Sequence, residues 1–204
     1  MTTPLNKTAL KQERDQLQMY ERFLPSLDLK RQQLIAVYQQ ARASLAETER
    51  ELEVLTHSQT GLFALLGASE QDLSGLVCVA SVVVSEENVL GSRLPKLDEI
   101  TFERTEYSML SKPFWVDFLV ECLQNVARIT IRQEIERQRT RRLEEAVRRI
   151  TQRVNLFEQV LIPQAKSAIQ RIRIYLSDAE RAAVVRSKIA KAKQQRSQVG
   201  REVI

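Results

Sequence analysis

With 204 residues, 28% charged and only 5% aromatic, the chain lacks the bulky side chains of a thick globular core and suits long helices instead. Its net charge of +5 is unevenly spread: from Val126 onward 19 Lys/Arg stand against 8 Asp/Glu, and before it 12 stand against 18. Its two cysteines, Cys78 and Cys122, fit no metal or redox spacing, which argues against a disulfide scaffold and for reduced, buried thiols in a cytosolic protein.

The first segment, residues 1–66, opens with a polar stretch from Met1 to Gln12 that has none of the apolar core of a signal peptide. Two series at intervals of seven follow. One is Leu10, Leu17, Leu24, Arg31, Tyr38, Leu45, Leu52, and the other is Tyr20, Leu27, Leu34, Ala41, Thr48, Leu55. They stand three residues apart, which is the a/d pattern of a coiled-coil helix. Pro25 lies inside the pattern and removes a backbone donor, so the spacing predicts a kink there.

The middle, residues 67–112, reads differently. Gly61, Gly67, Gly75 and Gly91 cluster around it, while 1–60 and 92–199 contain no glycine. Leu76 to Ser85 is rich in β-branched residues and predicts a strand; it is too short to cross a bilayer. Glu86-Glu87-Asn88 supplies turn chemistry, Gly91 and Pro95 mark the return, and Ile100 to Tyr107 alternates as a second strand.

The third segment, residues 113–204, starts behind a capping Ser111 with Pro113 in the first turn. Leu119, Cys122, Val126 and Ile129 keep helical spacing. The frame then meets Gln133, Glu136 and Thr140, and resumes at Leu143, Val147, Ile150, Val154, Phe157 and Leu161. The polar interruption is either a solvated stretch or a docking site for another protein chain. At Pro163 the frame shifts to Ile162, Ala165, Ile169, Ile172, Leu176, Ala179 and Ala183, a slip resembling a stutter, with some bending expected. The fold class is mainly α: a long antiparallel two-helix coiled coil of N- and C-terminal helices, with a small central β-hairpin and short-helix module. Its seam is expected to hold Leu24, Leu27, Leu34, Leu45, Leu52, Val147, Ile150, Val154, Phe157 and Leu161.

Motifs of bond chemistry are missing. There is no G-x-x-x-x-G-K-[ST], no G-x-G-x-x-G and no G-x-S-x-G. His57 is the only histidine, which excludes a multi-histidine metal site. No catalytic, cofactor-binding or metal-binding residue is therefore assigned. The basic end, with Lys188, Lys191, Lys193, Arg196 and Arg201, could neutralise phosphates, but no aromatic follows Tyr175 and no base-reading motif accompanies it. It reads as a helix end facing water or a protein, with no nucleic acid and no membrane insertion.

Three stretches resemble the D subunit of the V-type ATPases. Leu27 to Leu34 (LDLKRQQL) is similar to that family's N-terminal helix motif, departing from it at Asp28, Leu29 and Gln32. Asn88 to Pro95 (NVLGSRLP) resembles its central signature, on Asn88, Gly91 and Pro95. Arg153 to Pro163 (RVNLFEQVLIP) resembles its most specific run, including Asn155 and Pro163. The resemblance implies a non-catalytic rotor shaft, cytoplasmic and peripheral to a membrane. It would carry torque between an ATP-hydrolysing or ATP-synthesising A/B hexamer and a proton- or sodium-translocating ring. Implied partners are that hexamer, the F subunit and the adaptor on the membrane ring (C or d). Lys188, Lys191 and Lys193 become candidate hexamer contacts, Gln133 to Thr140 a candidate contact for the F subunit, and the central module a regulator or anchor. The alternative is a structural coiled-coil scaffold without a rotary role.

Overall fold

The computed structural model describes residues 4–59, 61, 77–104 and 115–199. Helix α1 runs Lys7–Ser58, strands β1 and β2 run Val77–Val89 and Ser92–Arg104, and helix α2 runs Trp115–Asn155. A π turn, Leu156–Leu161, leads into helix α3, Ile162–Val199. The architecture is thus mainly helical around one antiparallel hairpin. The expected cap at Ser111 and Pro113, and the extension of the second strand to Tyr107, lie outside the described residues.

Asn6 starts α1: its Oδ1 accepts the Ala9 N–H at 2.6 Å, and its carbonyl accepts the Leu10 N–H. The helix continues through Pro25, which sits on an exposed face where the carbonyl it leaves unpaired can meet water.

The chain divides into two compact units. The first comprises Met1–Leu29 and Thr151–Ile204. In it Lys7 faces Glu180 at 3.9 Å and Glu21 faces Lys166 at 3.2 Å, so the two helices run in opposite directions. Ala9, Val154, Ala165, Ala168, Ile169 and Ile172 are buried between them. The small residues allow close approach of the backbones. Tyr20 meets the Phe157 ring edge-on, centroids 5.4 Å apart.

The frame shift falls in this unit, at the π turn Leu156–Leu161. Phe157 and Leu161 of the first frame and Ile162 of the second are all half-buried, and from Phe157 to Ile162 is five residues. An α-helix cannot put both on one face, but a π turn links residues five apart. The Ile162 N–H donates to the Phe157 carbonyl. Pro163 follows at once, on the exposed side. The seam then continues through Ala165, Ile169, Ile172 and a half-buried Leu176. Ala179 and Ala183 do not belong to it. They are exposed, because Lys7, at the start of α1, already lies opposite Glu180.

The second unit is Lys30–Ile150. Its buried side chains include Leu34, Leu94, Val116, Leu119, Val120, Ile129, Leu143, Ala146 and Ile150. Here α1 and α2 also run antiparallel, with Glu49 near Arg137 and Glu51 near Arg132, each at 3.5 Å. The polar interruption in α2 therefore faces inward, across from α1. Thr48, only 3% exposed, donates its hydroxyl to Glu136 Oε2 at 2.7 Å, and Gln133 Nε2 donates to Glu49 at 3.4 Å.

Such a layer fixes register, since sliding the helices would strand a hydroxyl against carbon and a carboxylate without a donor. Thr48→Val should cost about 1–3 kcal/mol by leaving Glu136 without its partner, whereas Thr48→Val with Glu136→Leu should recover most of that loss. Urea unfolding of the four proteins of the cycle measures it; a coupling indistinguishable from zero would refute the assignment.

Candidate functional site

The hairpin departs from its expected boundaries. Both strands are longer, and Glu86, Glu87 and Asn88 lie within β1 rather than in a turn. The reversal is made by Leu90 and Gly91, with φ of 52° and 82°. Positive φ at both central residues is what a two-residue hairpin needs to match the twist of its strands. Asn88 contributes from the strand end, where its Oδ1 accepts the Gly91 N–H at 3.0 Å. The register pairs Val89 with Ser92, Val84 with Leu97 and Val79 with Phe102. It shifts at Ala80 and again at Asp98.

Two arginines of α2 fasten the hairpin's turn end. Arg139 donates to Glu87 Oε2 at 3.0 Å and to the Pro95 carbonyl at 3.5 Å. Arg142 donates to the Arg93 carbonyl at 3.2 Å and lies 3.7 Å from Glu86. Beneath them Leu94 is fully buried and Pro95 buried. These arginines were not singled out by sequence; the signal was the doublet Glu86-Glu87, an acidic pair in a β-branched strand that needs cations opposite it.

A cavity of about 400 Å³ opens beside this clamp, lined by Val37, Ala41 and Ser44 of α1, Lys96 and Leu97 of β2, and Ile135 of α2. Its polar lining also includes Gln40, Arg132, Glu136 and Arg139. Among the described residues no group of three or more His, Cys, Asp or Glu is placed to hold a metal ion. Among them, too, no helix is long and apolar enough to cross a membrane.

Of the expected seam residues, Leu34, Ile150 and Val154 are buried, and Leu24, Leu27, Leu45, Leu52, Val147, Phe157 and Leu161 are half-buried. Asn155 is exposed at the start of the π turn, with Pro163 exposed just past its end. Lys188, Lys191 and Lys193 are exposed, as is every residue from 181 to 193. Within Gln133 to Thr140, the candidate contact for another chain, Gln133, Glu136 and Thr140 are half-buried and Glu134 and Gln138 exposed. The thiols are not both buried: Cys78 is exposed, paired in the hairpin with Glu103, and Cys122 is half-buried.

Residues 9–192 match the family model for the D subunit of ATP synthase. Among curated relatives, the V-type ATP synthase D subunit of Borreliella burgdorferi is 36% identical over 188 residues, spanning 92% of this chain and 93% of its own. The protein of the same name from Chlamydia muridarum is 34% identical over 195 residues, spanning 93% and 94%.

Proposed function

The chain belongs to the family of ATP synthase D subunits, and on that footing we propose that it is the central shaft of a V-type ATP synthase. It carries torque between a nucleotide-handling A/B hexamer and an ion-translocating ring, and makes or breaks no bonds itself. Its contacts are the hexamer, the F subunit and the ring adaptor, at the cytoplasmic side of the membrane. The observation that supports this reading best is the end of α3. Lys7 meets Glu180, so α1 offers no partner to the turns beyond, where residues 181 to 193 are exposed and Arg181, Arg186, Lys188, Lys191 and Lys193 gather.

A single helix with exposed Val184, Val185 and Ile189 among cations is unfinished as a structure in water. Inside a collar of partner proteins it is complete. Exposed charge pairs contribute only about 0–1 kcal/mol each, so the lysines guide a turning shaft without holding it in one position.

Reversing Lys188, Lys191 and Lys193 to glutamate should slow ATP-driven rotation of a bead fixed to this chain, with hydrolysis falling less than rotation. A rotation rate equal to that of the parent would remove the lysines from the hexamer contact. The shaft reading itself is tested by an oxidisable cysteine pair joining α3 to the hexamer. Closing it should halt hydrolysis and reduction should restore it. Hydrolysis that continues with the pair closed would leave a static scaffold as the better reading.

A further inference from the structure

Two antiparallel helices lose hydrogen bonds at the same level of the first unit. In α1, Pro25 has no N–H to give, and Ser26 Oγ donates back to the Phe23 carbonyl at 2.8 Å. In the partner the ladder widens through the π turn Leu156–Leu161, Pro163 removes another donor, and Ser167 Oγ donates back to the Gln164 carbonyl at 3.0 Å. Prolines, π turns and such hydroxyls are the ordinary causes of helix bending. Tyr20 meets Phe157, and Glu21 meets Lys166. Counting five and four residues on along α1, and back by as many along the partner, puts Pro25 across from the stretch between 152 and 162, which holds the π turn.

Packing is thin at that level as well. No side chain of α1 between Ala9 and Leu34 is buried, and none of the partner between Val154 and Ala165. Beyond the interval the partner is dense again, with Ala165, Ala168, Ile169 and Ile172 all buried. Within it the ring pair of Tyr20 and Phe157 is joined only by half-buried Leu24, Leu27, Leu161 and Ile162. Phe23 and Leu156, by contrast, are 51% and 47% exposed. Few buried contacts and weakened backbone hydrogen bonds mark a segment that opens before the rest of its unit.

We propose that this cross-section is a joint, in which Arg22 to Leu29 and Leu156 to Ser167 loosen together about the Tyr20–Phe157 ring pair while the buried seam beyond stays shut. Neither interruption does this by itself. A proline packed tightly against an unbroken helix is splinted by it, and so is a π turn, because close-packed neighbours transmit strain. Where the two coincide and the seam between them is only half-buried, a bend in one helix meets no stiff partner. The joint is a property of the chain on its own, so it stands or falls separately from the shaft reading. In a shaft it confines flexing to one level and spares the seam on either side.

Hydrogen exchange of the full chain, read by mass spectrometry, tests this. Amides of residues 22–29 and 156–167 should exchange at least about ten-fold faster than those of 143–154 and 168–176. Pro25→Ala restores a donor to α1 and should slow exchange in both stretches, by about three-fold or more in 156–167, with unchanged circular dichroism. Deleting Val160 should likewise slow exchange in 22–29. Spin labels at the exposed positions 152 and 170, which bracket the π turn, should give a broader distance distribution than labels at the exposed positions 130 and 148, spaced the same number of residues apart. Exchange in the two stretches as slow as in their flanks, or equal widths for the two label pairs, would overturn the proposal. So would variants that each slow exchange in their own helix alone, since the two interruptions would then be separate local defects.

Discussion

Leu143→Ala should lower the free energy of unfolding by about 2–5 kcal/mol, whereas Leu156→Ala, thirteen residues on, should cost under about 1 kcal/mol. Both are leucines in one run of the chain, so helix propensity does not distinguish them. Burial does. Leu143 has no exposed surface, and Leu156 is 47% exposed on the π turn. Truncating Leu143 removes apolar contact and leaves a hole that the helix backbones cannot close, because the buried Ala146 and Ile150 hold α2 in place on the same side. The unit has few other core leucines to share the loss. Urea unfolding followed by helical circular dichroism measures both variants. Equal costs for the two would mean that Leu143 does not sit in a packed seam.

The helical periods were legible because a stripe repeated over many turns can be read without knowing its partner; Leu34, Ile150 and Val154 are examples. What the partner does was harder to read. Thr48 is the polar exception in its series and Glu136 the middle one of three in its own, so aligning the two interruptions in antiparallel order brings them together. Taken singly, Glu136 reads equally as solvated or as part of a docking site. The hairpin's reversal was misplaced because Glu86-Glu87-Asn88 has good turn chemistry, while the true turn uses a leucine at φ 52°. Leucine carries a steric penalty there that only the surrounding contacts can offset. The arginine clamp joins residues about fifty positions apart, and no local pattern announces that distance. The surface by which the chain would enter its complex is legible only as an absence, an amphipathic helix end with no partner among the described residues.

Removing Val160 should leave the protein folded and at least as resistant to heat, although a deletion inside a helix ordinarily throws every later side chain off its face by about 100°. The π turn explains the exception. Seam positions run Leu143, Val147, Ile150, Val154, Phe157, then Ile162, Ala165, Ile169, Ile172 and Leu176, alternating four and three except for the step of five across the turn, where Leu161 beside Ile162 is half-buried as well. With one residue gone that step becomes four, the wide turn closes to an ordinary one, and an unbroken heptad results. Val160 is 38% exposed, so little packing is lost with it. Removing Glu145 instead offers no such escape. Ala146, Ile150 and Val154, all buried, would rotate off the seam, and a loss of several kcal/mol should follow, on the order of 10 °C or more in Tm for a chain of this size. Thermal melts of the two deletions beside the parent decide the matter, and a Val160 deletion as damaging as the Glu145 deletion would show that the turn does not absorb the offset. Retaining an extra residue that the fold does not need for stability would then point to the geometry it creates, an exposed Leu156, Val160 and Pro163 on a widened turn, as what the chain uses.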